Sequence, residues 1–267
     1  QIAALAPDVV IDMICFTLDS ALQITEALKG KVQHFLHCGT IWVYGPSVVV
    51  PTTEEQPRRP FGEYGIQKAA IEAYLESVQR RQKDPVLDEM EKYAAKHGFP
   101  IVGRLVGEVL SQLARIHRAT TIFEMGSGFG YSALWLARGL ERDGTLLCVD
   151  GSAENAAFAA EAFRRAGIAE KVRFEVGDAL VLLDRTPGPF DLIFNDIDKE
   201  QYPAAFSKLL PRLRRGGLLL TDNLLWQGRV ATEEPASPST RGVLEYTRLL
   251  YASPELLTVI LPLRDGV

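Results

Sequence analysis

Residues 120–140 read TTIFEMGSGFGYSALWLARGL, and this stretch decides the fold. A β-rich apolar run carries Glu124 at its end, Gly126, Gly128 and Gly130 form a turn, and an amphipathic helix starts near Tyr131. Glycine takes up unusual dihedrals and lets another group approach the backbone closely. The first turn of the helix behind it offers unpaired N–H groups. Two phosphate-binding forms do not fit. No lysine follows for a GxxxxGK[ST] loop, and the third glycine falls one residue early for GxGxxG. What remains is ExGxGxG, whose acid suits a cofactor with an ammonium group and no phosphate. A glycine-rich turn without a ligand is the plain alternative.

Outward from this loop, apolar runs alternate with helical patterns, the rhythm of an α/β protein with a parallel sheet. Strands are predicted at 120–125, 145–150, 172–176, 190–196, 217–221 and 257–261, with helices at 85–97, 104–116 and in most gaps. Five strands that each return through a helix predict a doubly wound sheet. Asp150 ends the second strand, where such folds bind ribose hydroxyls, and Asp178 ends the third, where adenine would lie. Each acid alone also reads as a helix cap. The next two strand ends, FDLIFNDIDKEQY and GGLLLTDNLLWQGRV, supply Asp196, Asp198 and Lys199, then Asp222 and Asn223. Two carboxylates and an amide oxygen are hard ligands that suit Mg²⁺, with Ca²⁺ or Mn²⁺ as alternatives. No His/Cys cluster argues for zinc. A turn after a strand is the plain reading of Thr221–Asn223. Lys199 reads either as a base beside a bound cation or as a solvated surface lysine.

Toward the amino terminus, a strand is predicted over 8–13, a helix through Leu28, a strand over 33–43 and a helix over 64–75. The charged stretch ESVQRRQKDPVLD, residues 76–88, breaks the rhythm and places a domain boundary near Lys83, giving segments 1–83 and 84–267. The chain has 267 residues, 47% of them hydrophobic, and a net charge of −5, which offers no electrostatic ground for a nucleic acid partner. No apolar run reaches the roughly 18 residues of a membrane span. Cys15, Cys38 and Cys148 are isolated, which predicts buried, reduced thiols in a cytoplasmic protein.

With these residues in view, 84–267 resembles the cation-dependent O-methyltransferases, the family of catechol and caffeoyl-CoA O-methyltransferases, and most of all its small bacterial members. The resemblance runs through DPVLDEME, HGFPIVG, FEMGSGFGYSALW, FNDIDKEQYP, LLTDNLLWQGRV and LPLRDGV. It implies a Rossmann-like methyltransferase sheet and S-adenosylmethionine as methyl donor. It further implies metal ligation by Asp196, Asp222 and Asn223, with Lys199 as the base. Glu124, Gly126 and Ser132 would hold the methionine part of the cofactor, with Val102 nearby; Asp150 would bind the ribose and Ala179 the adenine, with Asp178 beside it. Asp196 would face the cofactor as well as the metal. The implied chemistry is in-line methyl transfer to an oxygen of a small hydroxylated acceptor, normally a vicinal diol on an aromatic ring. Family members often form homodimers. The family's last antiparallel strand follows the LPLRDGV turn, so the expectation is a sheet lacking that strand and a chain that is a fragment or a fusion product.

The first segment resembles the middle of an NAD-dependent epimerase/dehydratase, an extended short-chain dehydrogenase, through PDVVIDMI, HFLHCGTIWVYG and YGIQKAAIEAYL. There the resemblance implies a catalytic set of Thr40, Tyr64 and Lys68. An NAD-linked epimerase or reductase is thus the second functional reading. A third is a packing or dimerisation appendage on an inactive methyltransferase fold.

Overall fold

A computed structural model of the chain describes residues 2–46, 56–78, 84–261 and 263–267. The chain forms two compact units, Gln1–Gln82 and Lys83–Val267. The boundary expected at Lys83 itself lies outside the described residues, as does the middle of the charged stretch before it.

The first unit holds β1 (Val9–Asp12), α1 (Leu18–Leu28), β2 (His34–His37) and α2 (Gly62–Val78), with β1 and β2 paired in parallel. The strand expected to run to Val43 stops at His37. Beyond it the Thr40 side chain accepts from Trp42 N at 3.3 Å, and residues Ile41–Tyr44 close into a 3₁₀ turn. A hydroxyl that satisfies a nearby backbone N–H competes with the strand ladder.

The second unit opens with α3 (Pro85–His97). Asp84 caps it, accepting from Val86 N and Leu87 N at 3.0 Å each, and Pro85 fits the first helical position. There follow α4 (Gly103–Ile116), β3 (Thr121–Met125), α5 (Tyr131–Gly139), β4 (Thr145–Asp150), α6 (Ala153–Arg165), β5 (Val172–Val176) and α7 (Ala179–Arg185). Then come β6 (Phe190–Asn195), α8 (Tyr202–Leu209), β7 (Leu213–Thr221), α9 (Arg229–Thr232) and α10 (Pro238–Ala252). The strands form one parallel sheet in the order β5-β4-β3-β6-β7. Because side chains alternate across a strand, Ile122 packs with Leu134, Leu146 and Phe194 on one face, while Phe123 and Met125 pack with Val149, Ile193 and Tyr202 on the other. Burial on both faces explains why these strands read as continuous apolar runs. The chain passes from β3 out to β5 and then returns to β6, so the order reverses between β3 and β6. Ligands bind at the carboxyl ends beside such a reversal.

Two expectations are corrected. Residues 257–261 form no strand, and Leu257 is 99% exposed. Among the described residues, β7 pairs with β6 alone, so no neighbour ties 257–261 into the sheet. The backbone of Leu261 bonds instead to that of Val267, at 2.7 and 3.0 Å. Cys15 and Cys148 are buried and free as expected, but Cys38 is exposed because it sits just past the end of β2. No helix among the described residues is long and apolar enough to cross a membrane.

Candidate active site

Loops leaving β3, β4, β6 and β7 meet at the carboxyl edge of the sheet and are laced together by backbone bonds. Gly126 N and Ser127 N donate to Val149 O at 2.9 and 3.0 Å, Asp196 N to Met125 O at 2.9 Å, and Asp222 N to Asn195 O at 3.2 Å. Gly126 has φ +80°, and a Cβ there would lie 2.3 Å from Asp196 O. Glycine at 126 therefore lets the cofactor loop and the Asp196 loop touch.

Glu124 is fully buried in the central strand. Its Oε2 accepts from Ser127 Oγ at 2.8 Å, and its Oε1 has no hydrogen-bond partner. Burial pushes its carboxyl up to about 7, against hydrogen bonds from Ser132 and Ser127. A buried carboxylate oxygen without a partner is costly and marks a place for a cationic donor. Ser132, on the first turn of α5, is buried beside it. Val102, just before α4, is buried too.

Asp150 ties the glycine loop down. Its Oδ2 accepts from Gly128 N at 3.0 Å, and its Oδ1 from Ser152 N and Asn155 Nδ2, both at 2.9 Å. A carboxylate has about four acceptor positions, so three local donors leave room for one ligand hydroxyl. Asp178 caps α7 through Val181 N at 2.9 Å, which is its plain reading, and Ala179 is the first residue of that helix.

Asp196, Lys199, Asp222 and Asn223 come from the two neighbouring loops. Lys199 Nζ donates to Asp196 Oδ1 at 2.7 Å and to Ile197 O at 3.3 Å, and lies 5.2 and 5.8 Å from the ring centroids of Tyr202 and Trp226. Its side chain is only 12% exposed, which excludes the solvated-lysine reading. Asp198, by contrast, faces solvent. Burial raises the Asp196 carboxyl against the opposing pull of Lys199. Asp222 is pushed up to about 7, first by burial and next by the Asp196 charge. Tyr202 Oη donates to Asp222 O at 2.9 Å and holds the loop. Asn223 stands in the left-handed region at φ 63°, which asparagine tolerates better than most residues.

Among the described residues no group of three or more His, Cys, Asp and Glu has metal-ligand spacing. The candidate set is two carboxylates completed by an amide oxygen. Buried carboxylates close enough for the Asp196 charge to raise Asp222 favour a cation between them, so these residues fit a hard divalent ion.

One participant was not anticipated from the sequence. Asp265 accepts from Asn223 Nδ2 at 3.1 Å and from Gln227 N, and its charge reaches both Asp196 and Asp222. Its Asp-Gly context signals only a turn. Trp226 has a buried Nε1 without a partner.

In the first unit Lys68 is buried, and its Nζ donates to Cys38 O at 2.8 Å and lies 3.2 Å from His37 Nε2. His37 Nδ1 in turn lies 2.7 Å from Asp12 Oδ2. Burial works to raise the Asp12 carboxyl, but bonds from Ile14 N, His37 and Cys15 outweigh it and hold it below its usual value. The Tyr64 ring lies tilted against that of Phe16, with centroids 6.0 Å apart, and Thr40 caps the turn after β2. No hydrogen bond among the described residues joins Thr40, Tyr64 and Lys68.

Comparison with known proteins agrees with the Rossmann-like fold. A family model described as O-methyltransferase matches residues 76–267, and one described as NAD dependent epimerase/dehydratase family matches residues 13–128. A caffeoyl-CoA O-methyltransferase of Eucalyptus gunnii is 33% identical over 76% of this chain and 87% of its own length. A catechol O-methyltransferase of Niastella koreensis is 30% identical over 72% and 89%. Among solved structures, an O-methyltransferase from Bacillus cereus in complex with SAH superposes with a TM-score of 0.67, at 31% identity over 74% of this chain and 94% of that one.

Proposed function

The chain belongs to the O-methyltransferase family, and from that premise we propose that its second unit transfers the methyl group of S-adenosylmethionine to a hydroxyl of a small acceptor, most suitably a vicinal diol on an aromatic ring, with the help of a divalent cation. The observation that carries the donor's identity is the buried, unpartnered Oε1 of Glu124 beside the glycine loop. It suits the α-ammonium of a methionyl group and has nothing to offer a phosphate. The acceptor class is inferred from the relatives' names, caffeoyl-CoA and catechol O-methyltransferases.

Each residue then has a task. Glu124 and Ser132 hold the amino-acid end of the donor, Asp150 accepts from a ribose hydroxyl, and the backbone at Ala179 borders the adenine, with Asp178 shaping that helix start and Val102 closing the apolar side. Asp196, Asp222 and the Asn223 amide oxygen would hold Mg²⁺, Mn²⁺ or Ca²⁺. When bound, such an ion supplies Lewis-acid stabilisation of negative charge on the acceptor oxygen. Lys199 Nζ, once its own proton has passed to solvent, is the amine that takes the hydroxyl proton. When bound, S-adenosylmethionine would supply an electrophilic methyl carbon for in-line attack by the acceptor oxygen, the C–S bond breaking as the C–O bond forms and leaving a neutral thioether. Holding both partners in one geometry contributes much of the rate.

Transfer of labelled methyl to a panel of catechols, with Mg²⁺ and with chelator, tests this reading. Transfer that requires Mg²⁺ and is lost in Asp222→Ala supports it; transfer indifferent to chelation and to Asp222→Ala removes the metal from the mechanism.

A further inference from the structure

The turn formed by Leu263–Val267 packs directly on the loop that carries Asn223. Leu224 N donates to Gly266 O at 3.0 Å and Leu225 N to Asp265 O at 2.8 Å, which lays the two backbones side by side. Gly266 stands at φ +85°, and a Cβ there would lie 2.7 Å from Leu225 Cγ and 3.0 Å from Leu225 N, so the approach needs glycine. The turn is closed by the paired bonds between Leu261 and Val267 and by Gly266 N to Leu263 O at 2.9 Å. Arg264 Nη1 donates to Ile101 O at 2.8 Å, anchoring the turn next to Val102.

From this platform the Asp265 carboxylate reaches Asn223. An amide side chain presents an acceptor on one side and two donors on the other, and its neighbours decide which way it faces. An ionised carboxylate only accepts. At 3.1 Å from Asn223 Nδ2, Asp265 therefore commits the NH₂ end to itself and turns Oδ1 to the opposite side. Its second oxygen is engaged by Gln227 N, so it cannot swing away freely. We infer that Asp265 is a positioning residue of the metal set: it selects the amide orientation of Asn223 that presents oxygen to a divalent cation. The inference rests on the metal reading above. Partners that orient a metal ligand typically govern affinity about 10- to 100-fold.

Mn²⁺ alone, titrated against the protein and followed by the EPR signal of the free ion, tests it without catalysis. Asp265→Asn keeps the shape but offers either an oxygen or an NH₂ to Asn223, so the amide loses its fixed sense. Mn²⁺ affinity is expected to fall about tenfold or more, while S-adenosylmethionine affinity, measured with chelator present, stays within twofold. In an Asn223→Ala background the same change is expected to cost nothing further, because Asp265 acts through the Asn223 amide. Equal losses in both backgrounds, or unchanged Mn²⁺ affinity in Asp265→Asn, overturn the inference and leave the metal reading standing. Failure of the parent protein to bind Mn²⁺ overturns both. If Asp265→Asn does not retain its affinity for S-adenosylmethionine, the same comparison with Asp265→Ser, which keeps an acceptor for Gln227 N–H, decides the question by the same outcomes.

Discussion

Lys199 Nζ lies 2.7 Å from Asp196 Oδ1, three residues away on the same loop. One partner of this ion pair is the proposed base and the other a proposed metal ligand. The tie holds Nζ at the loop, between the rings of Tyr202 and Trp226. It also supplies the positive charge that opposes the effect of burial on Asp196.

The base role separates cleanly from the charge role. Lys199→Arg keeps a cation beside Asp196, but a guanidinium does not give up its proton at neutral pH. The expected result is a kcat lower by about 10²-fold or more, with S-adenosylmethionine affinity preserved. A rate within twofold of the parent would remove Lys199 as the base.

The Glu124 carboxyl is raised by burial from the usual 4.5 to about 7. For an acid raised in the folded state, the stability it contributes is complete below 4.5 and is lost as pH rises through about 7. An ammonium ligand prefers the ionised form, so affinity runs the other way. Calorimetry should show S-adenosylmethionine binding weaken by up to about tenfold per unit below pH 7 and level off above it. Glu124→Gln should bind weakly at every pH and lose this slope; a slope that persists in the variant would assign it to another group.

Asp222 is likewise raised from 3.8 to about 7, by burial and by Asp196. The same sign applies: without a metal, the stability contributed by this raised carboxyl is complete below 3.8 and is lost as pH rises through about 7. Asp222→Asn should therefore stabilise the metal-free protein at pH 8, on the order of 1 kcal/mol or more, and change little at pH 4. Added Mg²⁺ should raise the Tm of the parent but not of the variant. Equal stability of the two proteins at pH 8 would contradict the argument.

Gly107, within α4, packs against Trp135 of α5, and a Cβ at 107 would lie 2.3 Å from the indole Cδ1 and Nε1. Gly107→Ala gains helix propensity but overpacks this contact. A net loss of about 1–3 kcal/mol is expected in urea unfolding of the second unit. A stabilised variant would show that the indole can move aside.

The sequence alone settled what depends on short-range order. Strand, glycine turn and helix at 120–140, the parallel strands that follow, and acids at successive strand ends are written as local patterns of apolarity and turn chemistry, and the fold follows from them. The same patterns misplaced what depends on a neighbour. Residues 257–261 have the composition of a strand, but a strand exists only as one side of a ladder, and among the described residues no strand pairs with them. The run after His37 is apolar enough to continue β2, yet the Thr40 hydroxyl closes it into a turn. Asp178 and Asp198 are both exposed, and what separates them is the helix start that the Asp178 side chain caps.

Only the tertiary structure decided how the site is wired. It shows that Glu124 keeps one oxygen without a partner, that Lys199 is sheltered rather than solvated, and that Asp265, 42 residues beyond Asn223, meets its amide. The physical reason is range. Propensity and periodicity act over a few residues, whereas burial, charge coupling and the sense of an amide are set by whichever distant segments the packed sheet edge brings together.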